Sequence, residues 1–193
     1  MSVDAASIDD CLSQITQSAI LEGDKPKMMI GKDMARYLQN LIVQRGAKHI
    51  LEIGTYLGYS AISFAAVSKA VQVTTLEVGE MRYHRAKKWI QSSGLADQIQ
   101  ALCIDGLYYL KEVDVAKQFD FIFLDAQKRK SFIYVELALK RLAKGGMIVI
   151  DDVLCPGEPG HPKFKAKQEY MADFITQMQD NPDYKTTLVP LRH

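Results

Sequence analysis

From residue 49 onward, short, largely apolar runs alternate with stretches of helical periodicity, and this alternation limits the fold more than any other feature. The runs cover 49–53, 71–76, 99–104, 119–124 and 147–150, each the length of a strand. Strands that are apolar almost throughout are covered on both faces, which is the condition of a parallel sheet between helical layers. Helical spacing fills the gaps near 60–67, 81–93, 107–113 and 132–142, and Lys144-Gly145-Gly146 reads as the stop of the last of these. Two further helices are expected at 8–21 and 32–44, separated by a polar turn around Gly23, Asp24 and Pro26. Another helix is expected at 165–179 and a strand at 184–189. Right-handed crossovers then give an α/β, doubly wound, mostly parallel sheet with helices on both faces. Such sheets bind ligands at the carboxyl ends of their strands, beside the switch in strand order.

The chain has 193 residues, enough for a single domain with one substantial core. Hydrophobic residues make up 48% and charged residues 24%, which excludes disordered and fibrous architectures. Lys plus Arg number 24 against 23 for Asp plus Glu, a net charge of +1 that argues against a protein devoted to coating nucleic acid. The first ten residues are acidic and lack the pattern of a signal peptide, and no apolar run is long enough to span a bilayer. Cys11, Cys103 and Cys155 are odd in number, far apart and not in a metal-ligand spacing. They fit free thiols, so a reducing, cytoplasmic location is expected and no membrane partner.

Acidic residues stand where ligands are expected. The first run leads into Leu51-Glu52-Ile53-Gly54-Thr55-Tyr56-Leu57-Gly58-Tyr59-Ser60. A glycine-bearing strand-to-helix turn lets backbone approach a ligand. Its G-x-x-x-G spacing is not the dinucleotide pattern, and Glu52 would repel a pyrophosphate while suiting a cationic group. Glu77, closing the second run, is placed to accept both hydroxyls of an adenosine ribose. Asp105, beside Gly106, is placed to accept from an adenine amine, or simply to cap a helix. Together the three acids suit adenosine joined to a cationic amino acid, S-adenosylmethionine.

The fourth run ends in Asp125 and the fifth in Asp151-Asp152. Neighbouring strand ends lie side by side, so the three carboxylates should converge and need a cation to relieve their repulsion. Oxygen donors without histidine or thiolate favour Mg²⁺, with Mn²⁺ or Ca²⁺ as alternatives.

These residues carry a resemblance. LEIGTYLGYS at 51–60 resembles the cofactor motif of the metal-dependent class I O-methyltransferases of the catechol and caffeoyl-CoA type, and the likeness runs from about Met28 onward. It implies a Rossmann-like methyltransferase fold, with residues 1–45 as N-terminal helices and cofactor lid and 46–193 as the binding and catalytic sheet. Ser60 and Ile30 would hold the cofactor's amino-acid end, Glu77 the ribose, and Asp105, Gly106 and Leu107 the adenine. Met28, Glu52, Gly54, Tyr56, Val78 and Asp125 complete the implied set. Asp125, Asp151 and Asp152 fall on metal-ligand positions, the third of which is usually Asn. Lys128 falls on the proposed general base and would need to be neutral to act.

The implied reaction moves a methyl group to a hydroxyl of a metal-chelating vicinal diol, a catechol or caffeoyl-type small molecule. Lys130, Ser131 and Cys155 depart from the family pattern at the pocket rim, so the substrate is not fixed. Basic residues gather near the expected mouth: Lys25, Lys27 and Lys32, then Lys128, Arg129 and Lys130, then His161, Lys163, Lys165 and Lys167. They suit an anionic substrate, an acyl-CoA conjugate or a tRNA hydroxyuridine. A non-catalytic cofactor-binding protein is a third reading. The family fold ends in an antiparallel strand hairpin, and here the sequence stops at Leu191-Arg192-His193, where that hairpin would turn. Either the hairpin is incomplete or the sheet is completed differently, and an edge otherwise left unpaired would be covered by a partner chain such as a second copy.

Overall fold

The computed structural model describes residues 5–154, 162 and 164–190. Its strands are β1 (His49–Ile53), β2 (Gln72–Glu77), β3 (Ile99–Cys103), β4 (Phe119–Leu124) and β5 (Leu142–Ile150). They form a sheet of order β3-β2-β1-β4-β5 in which every neighbouring pair is parallel. The helices are α1 (Ala5–Leu21), α2 (Gly31–Arg45), α3 (Tyr59–Ala65), α4 (Glu80–Ser92), α5 (Gly106–Glu112), α6 (Ser131–Leu139) and α7 (Phe164–Asp180). Short 3-10 turns occupy Pro26–Met28 and Lys128–Lys130. The winding reverses at β1, which lies between β2 and β4, and so opens a crevice at the carboxyl ends of β1 and β4. No described helix is long and apolar enough to cross a membrane.

The period of two along each strand divides the core. Ile50, Val73, Phe121 and Phe123 face the layer of α1–α4, while Leu51, Ile53, Leu76, Ile122 and Leu124 face that of α5–α7. Phe64 of α3 stands edge-on to Phe121 and Phe123 at centroid distances of 6.2 and 5.5 Å. Each such side chain contributes roughly 1.5–3 kcal/mol on burial, so layers on both faces fix the strand ends that carry the acids.

Two expectations are corrected. Lys144-Gly145-Gly146 does not stop a helix: α6 ends at Leu139 and β5 begins at Leu142. The register slips, with Phe119 opposite Leu142 but Phe121 opposite Met147, and Gly145 takes φ 79°. The glycines form an irregularity inside the strand, where a Cβ on Gly146 would lie 2.9 Å from the carbonyl oxygens of Asp120 and Ala143. The segment 184–189 forms no strand. Instead the Tyr184 hydroxyl lies 3.3 Å from Met178 Sδ, and the Thr186 hydroxyl donates to the Met178 carbonyl at 2.7 Å. Those bonds fold the segment back on α7 rather than along a strand edge.

Arg141, expected on the helix, is 2% exposed just before β5. No carboxylate pairs with it among the described residues. Its guanidinium donates to the carbonyls of Lys117, Tyr109, Leu110, Val113 and Asp114 at 2.7–3.3 Å. A cation at the end of α5 satisfies carbonyls that the helix leaves unpaired.

Candidate active site

Glu52 is the penultimate residue of β1 and is 0% exposed. The Thr75 hydroxyl donates to its Oε2 at 2.5 Å, and Thr55 and Thr75 hydroxyls lie 2.5 Å apart, so the carboxyl ends a short buried relay. No hydrogen bond of good geometry reaches Oε1. Burial pushes the carboxyl up to about 8; the nearby Ser60 and Thr75 hydroxyls pull it down, and the charges of Asp125 and Glu77 push it further up. A fully buried acid with an unsatisfied oxygen is placed to meet a cationic group.

Past Glu52 the chain turns at Gly54, whose φ of 110° is a glycine conformation. A Cβ there would stand 2.2 Å from the Asp125 carbonyl oxygen, so the missing side chain lets the first loop touch the end of β4. Tyr56 also has positive φ, 51°, which is costly for a bulky residue. Its backbone N–H donates to Glu77 Oε2 at 2.9 Å, its hydroxyl accepts from the Lys25 N–H at 3.1 Å, and Arg82 covers its ring. Gly79 N–H donates to Glu77 Oε1 at 2.8 Å, so both carboxylate oxygens of Glu77 are oriented by backbone. Ser60, in the first turn of α3, is buried.

The segment expected to cover the cofactor precedes α2. Met29 and Ile30 are buried in the core while Met28 is exposed, so the anchor lies one and two residues beyond Met28. Periodicity could not reveal how this segment is tied down. Arg85 of α4 pairs with Asp24 and with Glu22 at 2.9 Å, and Tyr56 holds the Lys25 backbone. At the end expected to meet the adenine, Asp105 Oδ1 accepts from the N–H groups of Leu107 and Tyr108 at 2.9 and 3.0 Å, so the capping role is present. Gly106 is buried, Leu107 half-buried and Val78 exposed beside this end.

At the other side of the crevice, Asp125 N–H donates to the Ile53 carbonyl at 3.0 Å and Asp151 N–H to that of Leu124 at 3.1 Å. These bonds prolong the ladders and set both aspartates at adjacent strand ends. Lys128 Nζ lies 3.0 Å from Asp125 Oδ1, with its side chain only 12% exposed. Asp152 adopts φ 54°. Its carboxyl is pushed up by burial, with Lys128 and Lys167 pulling down and Asp151 and Asp125 pushing up. The strand ends thus bring Asp125, Asp151 and Asp152 into one electrostatic neighbourhood. Among the described residues, however, no three acidic, His or Cys side chains are arranged as a group able to hold a metal ion. Cys155, His161 and Lys163 lie outside the described residues. A cleft of about 400 Å³ bordered by Gln72, Thr74, Gln98 and Lys117 opens at the amino ends of β2 and β3, far from these acids.

The chain resembles known proteins over this arrangement. The sequence profile of the family described as O-methyltransferase matches residues 1–193. A catechol O-methyltransferase of Niastella koreensis is 36% identical over 154 residues, 78% of this chain and 69% of its own. A caffeoyl-CoA O-methyltransferase of Populus kitakamiensis is 33% identical over 139 residues, 70% of this chain but only 59% of its own length. The O-methyltransferase from Bacillus cereus, solved in complex with SAH, superposes with a TM-score of 0.73 at 28% identity, covering 93% of this chain and 81% of that one. The five-stranded parallel sheet, its acid-lined crevice and these likenesses agree, and the chain belongs to the O-methyltransferase family.

Proposed function

We propose that the chain is an S-adenosylmethionine-dependent O-methyltransferase that methylates one hydroxyl of a vicinal diol, a catechol or caffeoyl-type small molecule, with the aid of a divalent cation. The observation that carries this reading is the division of acids along one crevice. Glu52 and Glu77 line one side, and Asp125, Asp151 and Asp152 the other. Glu77, held by the N–H groups of Tyr56 and Gly79, presents a fixed carboxylate to the ribose hydroxyls. Glu52 and Ser60 meet the amino-acid end, and Asp105, Gly106 and Leu107 border the adenine, with Val78 beside them. Ile30, Met28, Gly54 and Tyr56 close this side. The bound cofactor supplies an electrophilic methyl group.

The donor chemistry of the second side fits a hard cation, most readily Mg²⁺. It offers three carboxylates and no soft ligand, and Asp152 is held toward its neutral form by burial with two like charges nearby. Asp125, Asp151 and Asp152 would hold the ion, whose chemistry is to acidify a coordinated hydroxyl. Lys128, beside Asp125, would in its neutral form take the proton from that hydroxyl as the general base. The fixed strand ends would orient the acceptor oxygen toward the methyl group.

Transfer of labelled methyl from the cofactor to catechol, lost with chelator and regained with Mg²⁺, tests this reading. A protein that binds cofactor but methylates no diol would refute it and leave the binding-only alternative. A second reading is favoured by the exposed Arg129 and Lys130 in the turn beside Lys128: a tRNA hydroxyuridine as acceptor. Label entering tRNA rather than diols would select it.

A further inference from the structure

The basic residues around the site divide into two sets. Lys25, Lys32, Arg129, Lys130 and Lys165 are exposed; Lys32 pairs with Asp9 at 2.9 Å and Lys165 reaches Glu169 at 3.9 Å. Lys128 and Lys167 are instead half-buried. Lys128 is engaged by Asp125 at 3.0 Å. Lys167 makes no hydrogen bond or ion pair with any described residue, and the charge it faces is that of Asp152.

Helical spacing explains why Lys167 turns inward. It precedes Tyr170, Met171 and Phe174 by three, four and seven residues, and these form the inner stripe of α7. The stripe rests on the start of α6: Phe132 packs edge-on against Tyr170 at 5.6 Å and Phe174 at 5.0 Å. Phe132 follows the Lys128–Lys130 turn by two residues. Side chains on a helix lean toward its N-terminus, so the ammonium of Lys167 projects toward that turn and the aspartates. A half-buried ammonium with no hydrogen-bonded partner has unused donors, and an anion that met them directly would offset the cost of its burial.

We infer that Lys167 is a specificity-determining residue that receives a carboxylate carried by the acceptor, so that the preferred substrates are small vicinal diols with an acidic substituent. This rests on the O-methylation reading above. The site favours a small acid over a distant phosphate because Lys167 lies near Asp152, one of the residues proposed to hold the cation that would chelate the diol. Its anion must therefore lie within a lysine side chain's length of the chelated oxygens. Phosphates of a conjugate or an RNA would meet the exposed Arg129 and Lys130 instead.

The test compares kcat and KM for 3,4-dihydroxybenzoate and for catechol in Mg²⁺, using wild type, Lys167→Ala, Lys167→Arg and, as an exposed control on the same helix, Lys165→Ala. Wild type should favour the acid by about tenfold or more, chiefly in KM, as expected of one charge-assisted contact. Lys167→Ala should bring the ratio of the two kcat/KM values toward one, while Lys167→Arg and Lys165→Ala keep it. Far-ultraviolet circular dichroism confirms that each variant is folded. Catechol methylated without preference for the acid overturns the inference alone, as does an equal loss for both diols in Lys167→Ala, which would make Lys167 a support for Asp152. A preference confined to caffeoyl-CoA or tRNA also overturns it. If wild type methylates neither diol, the O-methylation reading falls as well.

Discussion

The two sides of the crevice differ in how much of their geometry the protein supplies by itself. On the cofactor side, Glu77 accepts two backbone N–H bonds, Glu52 accepts from Thr75, and Tyr56 is braced in a strained conformation by three partners. On the chemical side, backbone bonds place Asp125 and Asp151 at adjacent strand ends, yet the three aspartates form no ready ligand group and Lys128 stands against Asp125. Backbone donors orient a carboxylate without immobilising a second side chain, whereas carboxylates gathered near one another repel until a cation joins them. The proposed cofactor side is thus preorganised, and the proposed chemical side depends on what binds there.

The sharpest way to break this contrast is to change one side and measure both. Asp151→Asn removes a proposed ligand and should lower diol turnover on the order of a thousandfold, the scale of several kcal/mol of lost charge stabilisation. SAH affinity, measured by calorimetry, should stay within about threefold, since Asp151 lies outside the cofactor side. A comparable loss of SAH affinity would erase the distinction. Lys128→Ala should cost roughly 10²–10⁴-fold in turnover near neutral pH if the amine moves the proton, and a rate equal to wild type would remove that role.

Glu77→Ala acts on the other side. It should weaken SAH by about 10–100-fold, the scale of hydrogen bonds to a charged group, as read by calorimetric titration. A further prediction, for Glu52, concerns stability rather than rate, with a sign that depends on pH. Its carboxyl is near 8 in the folded protein, against about 4.3 when exposed, so the folded state holds the extra proton between those values. Glu52 therefore erodes stability as pH rises from about 4.3 to about 8, at up to roughly 1.4 kcal/mol per pH unit. Glu52→Gln does not titrate, so the Tm of the ligand-free variant should gain on wild type as pH goes from 5 to 8, while its SAH affinity falls. Parallel Tm curves would show that Glu52 is not held neutral.

The legibility of the two sides also differed. Five strands and their order of alternation could be read because strands covered on both faces leave near-continuous apolar runs. Acids directly after those runs were found for the same reason: in a parallel sheet, position in the chain already gives position in the crevice. Contacts between distant segments left no such trace. Arg85 meeting Glu22 and Asp24, and the Tyr56 hydroxyl meeting Lys25, depend on how α4 and the turn before α2 pack. Lys144-Gly145-Gly146 misled because a glycine pair that ends a helix and one that kinks a strand look alike in sequence. Arg141 falls inside the helix expected at 132–142, and only the folded chain brings five carbonyls around it.

The most direct test of the central claim is transfer of labelled methyl from S-adenosylmethionine to catechol by metal-stripped protein, before and after Mg²⁺ is added. On the proposed reading, in which the cofactor side is preformed and the chemical side needs a cation, the stripped protein should bind cofactor and transfer no label, and Mg²⁺ should restore transfer. Equal transfer in chelator and in Mg²⁺ would contradict the account.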